Sequence, residues 1–363
     1  MSDFRLILIT DAVGGVWAYS LELARALKPL GIDAALAIAG PPPTGAQRKA
    51  AAGIRLIDTR LPLEWLASSA DDVLRAADEL ARIAVDEGAD VVQTSSAALL
   101  AGASFDCATV AVQHSCLATW WSAVKTAPLP DEFEWRRDLV AQGLAKADAI
   151  VAPTRAFAAM TERAYELDRS VLAVHNGRTE QPRRALPQDH FVFAAGRLWD
   201  EGKNVRTLDR AAARIDAPFQ AAGSISGPNG ASVTLEYLVT LGSLSDARLA
   251  GLFAARPIFA SAAVYEPFGL SALEAAHSGC ALLLSDIASH RELWDGAAIF
   301  VEARDDAAFA AAIGDLLAQR AKRNELGRQA RERARRYKPE RMAGAMAEIY
   351  ASVREPQLVA GAA

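Results

Sequence analysis

The chain has 363 residues, of which 52% are hydrophobic and 23% are charged, and its net charge is −5. This composition predicts a globular protein of two domains and excludes a disordered chain, while the negative charge argues against nucleic acid as a partner. Its three scattered cysteines predict neither a disulfide framework nor a zinc site.

The chain opens on a predicted buried strand. Phe4–Thr10 is an almost continuous apolar run, as in a parallel strand covered on both faces. A turn with Gly14 and Gly15 follows, and Val16–Leu27 has apolar residues at helical spacing. Strand, glycine turn and helix form the first unit of a doubly wound sheet. The glycine pair either makes a tight turn only, or lets the backbone approach an anion or a sugar closely.

The alternation of strands and helices continues through the first half. It predicts a mainly parallel sheet with ligands at the carboxyl ends of its strands. The predicted strands are Asp33–Gly40, Ile54–Thr59, Asp90–Thr94, Thr109–His114, Ala149–Pro153 and Val171–His175, and the clearest helices are Asp71–Asp86 and Arg155–Leu167.

One histidine ends a predicted strand. His114 closes the run that begins at Thr109, so it falls where ligands bind in such sheets. A single histidine can equally be structural, and the sequence leaves both roles open. Three nearby tryptophans either wall a sugar site or are buried in the core: Trp120, Trp121 and Trp135.

A polar segment divides the chain. Residues 177–188 contain two prolines and three arginines, Arg178, Arg183 and Arg184, and are the predicted linker. A second alternating set begins at His190–Ala195. It continues with strands at Phe219–Gly223, Ile258–Ala263, Ala281–Ser285 and Ala298–Glu302, and with helices at Ser245–Phe253, Ala307–Leu317 and Glu340–Val353.

Two cations follow the first strand of the second half. Gly196 ends this strand, Arg197 and Lys203 follow within seven residues, and a helix is predicted to start near Asn204. The alternative is that both cations are solvated loop charges. Their position between a strand end and a helix favours anion binding.

Two carboxylates flank a predicted helix amino-terminus. Glu266 lies at a strand end and Glu274 within the following helix, and Gly269 lies between them. The unbonded N–H groups of a helix amino-terminus are a natural seat for phosphate. This separation argues against an acid/base dyad, and predicts that the two acids hold opposite ends of one nucleotide-sugar.

The carboxy-terminal part is strongly basic. Residues 320–341 include ten lysines or arginines and three glutamates. They form either a solvated helix face or a peripheral contact with an anionic membrane leaflet. With no signal-like start and no apolar run of about 18 residues, the protein is expected to be cytoplasmic, with any membrane contact at the inner face.

Together these landmarks resemble the retaining glycosyltransferases of family 4. The resemblance spans nearly the whole chain, and the Glu-Pro-Phe-Gly-Leu run with a correctly placed Gly-Arg and Lys is its most specific part. The matching motifs are Glu266-Pro-Phe-Gly-Leu-x-x-x-Glu274 for E-x7-E, Gly196-Arg197 with Lys203 for the phosphate pair, Asp11-x-x-Gly14-Gly15 for the glycine loop, Val174-His-Asn-Gly177 for the interdomain motif and Val239–Asp246 for the nucleobase stretch.

The resemblance implies the α/β GT-B fold, in which two Rossmann-like doubly wound parallel-sheet domains face a central cleft. Residues 1–177 would bind the acceptor, residues 178–337 the donor, and a helix within 338–356 would pack back on the first domain. A hexose would pass from a UDP- or GDP-linked donor to a hydroxyl of a polysaccharide, glycolipid or small molecule. The implied reaction retains the anomeric configuration by a front-side mechanism and needs no metal or other cofactor.

The resemblance also implies roles for individual residues. Arg197 and Lys203 would stabilise the departing diphosphate, Glu274 would bind the ribose, and Glu266 would orient the donor sugar. His114 would line the reaction centre. The remaining implied donor contacts are Gly14, Gly15, Asn176, Ile225, Leu244, Phe268, Gly269, Leu270 and Ser271.

The chain departs from the family pattern in two places. Five residues separate Arg197 from Lys203, one more than usual, and Asn204 replaces a glycine found in many relatives. Neither change removes a charge. The absence of Asp-x-Asp from the sequence fits the metal-independent type. Two alternatives with the same fold are a non-catalytic nucleotide-sugar-binding protein and a sugar-nucleotide epimerase.

Overall fold

Two all-parallel β-sheets organise the chain in a computed structural model that describes residues 4–181, 188–228 and 230–354. Unit 1 comprises residues 4–119, 127–177 and 339–354 of the described chain, and unit 2 comprises 120–126 and the described part of 178–338. The prediction placed residues 120–126 in the first domain. They group instead with unit 2, where Trp120 Nε1 donates a hydrogen bond to Asp200 Oδ1 and Lys125 pairs with Glu201.

Unit 1 has a seven-stranded sheet in the order β3-β2-β1-β4-β5-β6-β7. Its strands are β1 (Phe4–Thr10), β2 (Ile32–Ile38), β3 (Arg55–Asp58), β4 (Val91–Thr94), β5 (Ala108–Val112), β6 (Ala149–Ala152) and β7 (Leu172–Ala173). The helices of this part of the chain are α1 (Gly15–Leu27), α2 (Gly45–Ala50), α3 (Ala70–Asp86), α4 (Leu117–Val124), α5 (Glu134–Lys146) and α6 (Arg155–Ala164), with 3-10 turns at Lys28–Leu30, Ala97–Leu100 and Asp131–Phe133.

Unit 2 has a six-stranded sheet in the order β10-β9-β8-β11-β12-β13. Its strands are β8 (Val192–Ala195), β9 (Phe219–Ala222), β10 (Val239–Thr240), β11 (Ile258–Ser261), β12 (Ala281–Ser285) and β13 (Ile299–Val301). Its helices are α7 (Val205–Ala212), α8 (Asp246–Ala254), α9 (Leu270–Ser278), α10 (Ala288–Trp294), α11 (Asp306–Ala318) and α12 (Arg320–Ala334), with a 3-10 turn at Glu201–Lys203.

Both sheets reverse their strand order once. The reversal lies between β1 and β4 in unit 1 and between β8 and β11 in unit 2. In open α/β sheets, ligands bind beyond the carboxyl ends of the strands at this switch point. The topology therefore selects the loops after β8 and β11 as the candidate ligand loops of unit 2.

The core of unit 2 has two layers of apolar side chains, because neighbouring residues of a strand point to opposite faces. Ile258 and Leu283 join one cluster, and Phe259 and Leu282 join the other. The strands are buried on both faces, which explains why their sequences are continuously apolar.

The last helix, α13 (Pro339–Arg354), belongs to unit 1. Its buried residues Met342, Met346 and Tyr350 join the cluster formed by α1 and the sheet. Tyr350 also donates a hydrogen bond of 2.5 Å to Gln93 Oε1.

The predicted strand at Ile258–Ala263 ends earlier than expected, at Ser261. Asn204 Nδ2 donates to the carbonyl of Ala262, and Ser285 Oγ donates to the carbonyl of Ala263. Side chains therefore replace the neighbouring strand as partners of this backbone. The two-residue strand β10 was not predicted, and the predicted linker residues Arg183 and Arg184 lie outside the described chain.

Candidate active site

The switch point of unit 2 brings a lysine and a glutamate together. Lys203 is in the loop after β8 and Glu266 is in the loop after β11. Lys203 Nζ lies 2.5 Å from Glu266 Oε2, and the two side chains are 22% and 14% exposed. The sequence predicted both residues as site residues but did not predict that they form an ion pair.

The backbone of Gly202 holds these two loops against each other. Its carbonyl accepts hydrogen bonds from Val264 N at 2.9 Å and Tyr265 N at 3.1 Å. A Cβ on this residue would lie 3.0 Å from Trp120 Nε1 and 3.1 Å from Asp200 Oδ1, so the space admits little more than glycine. The position of Lys203 relative to Glu266 therefore depends on Gly202.

Arg197 is the more exposed of the two predicted cations. Its Nη2 lies 2.9 Å from Asp200 Oδ2, and its side chain is 42% exposed. The buried Asp200 also accepts hydrogen bonds from Trp120 Nε1 and Gly202 N, both at 2.9 Å. Asp200 therefore fixes the base of this loop, while the guanidinium of Arg197 stays accessible.

Helix α9 begins beside the carboxylate of Glu266. Gly269 precedes the helix with φ 88°, a left-handed conformation that favours glycine, and it has no side chain to cap the helix. The N–H groups of Leu270 and Ser271 therefore face outward with the positive end of the helix dipole. Phe268, in contrast, is buried against Tyr337, so its side chain is not available to a ligand.

Glu274 lies one turn into α9 and pairs with an arginine that was predicted only as part of the linker. Arg178 Nε donates to Glu274 Oε1 at 2.8 Å, and both side chains are less than one-fifth exposed. The available signal was position, because Arg178 directly follows the Val-His-Asn-Gly motif. The pair holds the carboxylate of Glu274 in one orientation.

His290 is a second residue that sequence reasoning missed. Its Nδ1 lies 3.0 Å from the carbonyl of Ser285, so Nε2 is left as an acceptor, and Nε2 has no hydrogen-bond partner among the described residues. Burial lowers its pKa, Glu266 opposes this effect, and Lys203 adds to it. Lys203, Glu266, Ser271 and His290 line one pocket at this switch point.

The loops after β9 and β10 continue the same edge of the sheet. A Cβ on Gly223 would lie 1.8 Å from the carbonyl oxygen of Gly196, so these backbones touch. Ile225 is 44% exposed, and Leu244 is half-buried. Both predicted nucleobase contacts are therefore accessible to a ligand.

A buried carboxylate on α7 organises the approach to β10. Asp209 accepts hydrogen bonds from the backbone N–H groups of Glu236, Tyr237 and Leu238 at 2.9–3.1 Å. These residues directly precede β10. Asp209 therefore positions the segment that leads to Leu244.

The other predicted site residues are in unit 1. Gly14 has φ 66° and precedes α1, Gly15 is the first residue of that helix, and Asn176 is buried. His114 follows β5, and its ring packs edge-on against Tyr19 with 4.3 Å between centroids. Burial lowers the pKa of His114 to about 4, so the imidazole is neutral at pH 7.

A glutamate at the same edge of unit 1 was not predicted. Glu64 accepts a hydrogen bond from Ser96 Oγ, and burial raises the pKa of its carboxyl. Arg136 donates to the carbonyls of Glu64 and Ala67 at 2.9 and 3.0 Å, and lies over the ring of Trp135 at 4.3 Å. These contacts fix the loop that carries Glu64.

The conserved-domain comparisons agree with this geometry. The model of Glycosyltransferase Family 4 matches residues 13–179, and the model of Glycosyl transferases group 1 matches residues 189–319. The chain belongs with the family 4-type glycosyltransferases. Comparison with curated protein sequences found no match.

Solved structures show the same fold for this glycosyltransferase. Sucrose-phosphate synthase from Thermosynechococcus elongatus has a TM-score of 0.79 at 18% identity, with 96% of this chain and 98% of that chain covered. HepE from Anabaena, solved with UDP and glucose, has a TM-score of 0.75 at 15% identity, covering 96% and 99%. A Rickettsia africae glycosyltransferase has a TM-score of 0.69 at 16% identity, covering 98% and 100%. The predicted GT-B fold is confirmed.

No group of three or more His, Cys, Asp or Glu side chains among the described residues is placed to hold a metal ion. Within the same part of the glycosyltransferase, every helix is too short or too polar to cross a membrane.

Proposed function

We propose that this glycosyltransferase moves a hexose from a nucleotide-diphosphate sugar to a hydroxyl acceptor, with retention of the anomeric configuration. The observation that carries the proposal is the Lys203–Glu266 pair beside the open amino-terminus of α9. This arrangement offers a cation and N–H groups to a diphosphate, and a carboxylate to sugar hydroxyls.

The leaving group is stabilised by positive groups of unit 2. Arg197, Lys203 and the N–H groups of Leu270 and Ser271 surround the proposed diphosphate position and oppose the charge that develops there. Fixed groups of this kind can serve without a divalent cation, so the proposed reaction is metal-independent. The diphosphate itself takes the proton of the attacking hydroxyl in the front-side mechanism, and Glu266 orients the sugar.

The two carboxylates hold different parts of the donor. Glu274 binds the ribose hydroxyls, and the hydrogen bond from Arg178 to its Oε1 fixes the orientation of the carboxylate. The exposed side chain of Ile225 and the loop at Leu244 contact the base. Because the similar HepE was solved with UDP-glucose, a UDP-linked hexose is proposed ahead of a GDP-linked one.

Unit 1 binds the acceptor in this proposal. Gly14 and Gly15 offer the open start of α1, His114 is neutral and lines the reaction centre, and Glu64 offers a carboxyl beside Ser96. These groups suit hydroxyls of a carbohydrate, of a glycolipid or of a small molecule. Contact of the basic residues 320–341 with a membrane stays a proposal, and several of these cations are already paired, Arg331 with Glu180 among them.

A donor screen tests the proposal directly. Thermal unfolding is measured with UDP-, GDP- and ADP-sugars, and a ligand at about 100 times its Kd adds about 2.7 kcal/mol to stability. Glu274→Gln should lose this shift, whereas the matched control Glu201→Gln, an exposed partner of Lys125, should retain it. NMR of the product then reads the anomeric configuration, and an inverted linkage would contradict the mechanism.

A further inference from the structure

A second positively charged site is present at the start of α12, away from the donor loops. Gln319 precedes this fifteen-residue helix and makes no side-chain cap hydrogen bond to it. Three of its first four residues are Arg320, Lys322 and Arg323. The positive end of the helix dipole therefore coincides with a cluster of cations.

Arg323 is buried within this cluster. The residue is 1% exposed, and its Nε, Nη1 and Nη2 have no hydrogen-bond partner among the described residues. A guanidinium has five N–H groups and cannot become neutral near physiological pH. A buried charge is costly unless it is paired, so this group needs an anion.

The surroundings of Arg323 supply further positive charge. Gly327, one helical turn later, touches the end of α9, because a Cβ there would lie 2.2 Å from the carbonyl oxygen of Gly279. A Cβ on Gly279 would in turn lie 3.8 Å from Arg256 Cδ. Burial lowers the pKa of Arg323, and Arg320 and Arg256 lower it further.

The carboxylates near Arg323 in the sequence are already engaged, and Glu325 pairs with Arg328. Asp315, near the end of α11, pairs with Lys322 at 2.5 Å and also accepts a hydrogen bond from Gln319. Lys322 is therefore neutralised. Because side chains of a helix lean toward its amino-terminus, Arg323 directs its guanidinium to the open turn.

We propose that Arg323, Arg320 and the amino-terminal turn of α12 form a binding site for a phosphate group, with Arg256 beside it. The ligand is inorganic phosphate or the phosphate of a small sugar phosphate. Arg320 is exposed, so an anion would approach the buried guanidinium from its side. The site lies near the amino-terminal ends of β11 and β12, the edge opposite to the loops of Lys203 and Glu266.

Thermal unfolding against phosphate concentration tests the site without reference to catalysis. The titrations use the full chain at constant ionic strength, with inorganic phosphate in one series and glucose 6-phosphate in another. At about ten times Kd the midpoint should rise on the order of 2–4 °C. A response to both identifies the phosphate group as the ligand, and a larger response to the ester identifies the sugar phosphate.

Variants separate this site from the donor site. Arg323→Met retains the length of the side chain without its charge, and should lose the phosphate response without loss of stability in phosphate-free buffer. Arg320→Ala should weaken binding several-fold. The matched control is Arg328→Ala, because Arg328 is on the same helix but exposed and paired with Glu325; it should respond as the unmodified protein does.

The same titration is repeated with an Arg197→Ala, Lys203→Ala double variant, which removes phosphate binding at the donor site. A response that persists there and disappears with Arg323→Met supports the proposal. A response that disappears in the double variant and persists with Arg323→Met assigns phosphate to the donor site and overturns it. No response of the unmodified protein to either ligand overturns it as well.

Discussion

Lys203 Nζ lies 2.5 Å from Glu266 Oε2, although 63 residues separate the two along the chain. The pair joins the two loops at the switch point of the unit 2 sheet, which is where open α/β sheets bind their ligands. A phosphate and a sugar hydroxyl can each engage one member of the pair. The first prediction therefore concerns Lys203.

Lys203→Met should lower kcat by roughly a hundredfold, because one preorganised donor to the leaving group is lost. The measurement is steady-state release of the nucleoside diphosphate with the donor found by the thermal screen. Lys125→Met is the matched control, since Lys125 pairs with the exposed Glu201, and this variant should retain the turnover of the unmodified protein. Equal turnover of the two variants would exclude Lys203 from the phosphate site.

The Arg178–Glu274 pair should show energetic coupling in a double-mutant cycle. Both side chains are less than one-fifth exposed, so we expect a coupling on the order of 1–3 kcal/mol in the free energy of unfolding from Arg178→Met, Glu274→Gln and the double variant. The exposed Arg291–Asp286 pair is the control, with an expected coupling of about 0–1 kcal/mol. Similar values for the two pairs would contradict a fixed Glu274.

The half-buried His114 should make the stability of the protein depend on pH. Its pKa is about 4 in the folded state and about 6.5 in an unfolded chain, so only the unfolded state gains a proton between these values. The contribution of the neutral histidine to stability is complete above pH 6.5, and declines as the pH falls to 4. The free energy of unfolding in urea, measured from pH 4 to 7, should therefore depend less on pH for His114→Gln than for the unmodified protein. His190→Gln, a variant of an exposed histidine, should show the pH dependence of the unmodified protein.

Gly223→Ala should disturb the loops that are proposed to bind the nucleotide. The added Cβ would lie 1.8 Å from the carbonyl oxygen of Gly196, and φ at this position is 138°. We expect a loss of about 1–3 kcal/mol in stability and weaker binding of the donor. The control is Gly251→Ala in α8, where the added Cβ meets no atom within 4 Å, and it should be neutral or stabilising by up to about 1 kcal/mol. Urea unfolding of both variants measures these changes in stability.

The sequence was sufficient for the fold class because most strands of the two sheets are short apolar runs followed by a turn and a helix. The run Phe4–Thr10, for example, was predicted with its observed bounds. The strand at Val171–His175 was overestimated, since only Leu172–Ala173 pairs with β6. Pairing depends on the neighbouring strand, and a local pattern contains no information about it.

The site was predictable where its chemistry is local. The helix amino-terminus after Gly269 follows from glycine and helix spacing alone. Contacts between distant residues did not follow from the pattern: Arg178 meets Glu274 across 96 positions, and Trp120 meets Asp200 across 80. His290 was missed because the sequence does not show which of its ring nitrogens contacts the carbonyl of Ser285, and this contact decides which nitrogen is left as an acceptor.

Helix α7 connects the loop proposed to bind the phosphates with the segment proposed to contact the base. It starts two residues after Lys203, and through Asp209 it holds the three backbone N–H groups that precede β10. A displacement of this single helix would move the cation and the base-side loop together. Under the proposed function, base preference is therefore coupled to turnover, and variants that exchange one nucleotide for another should need compensating changes in the packing of α7.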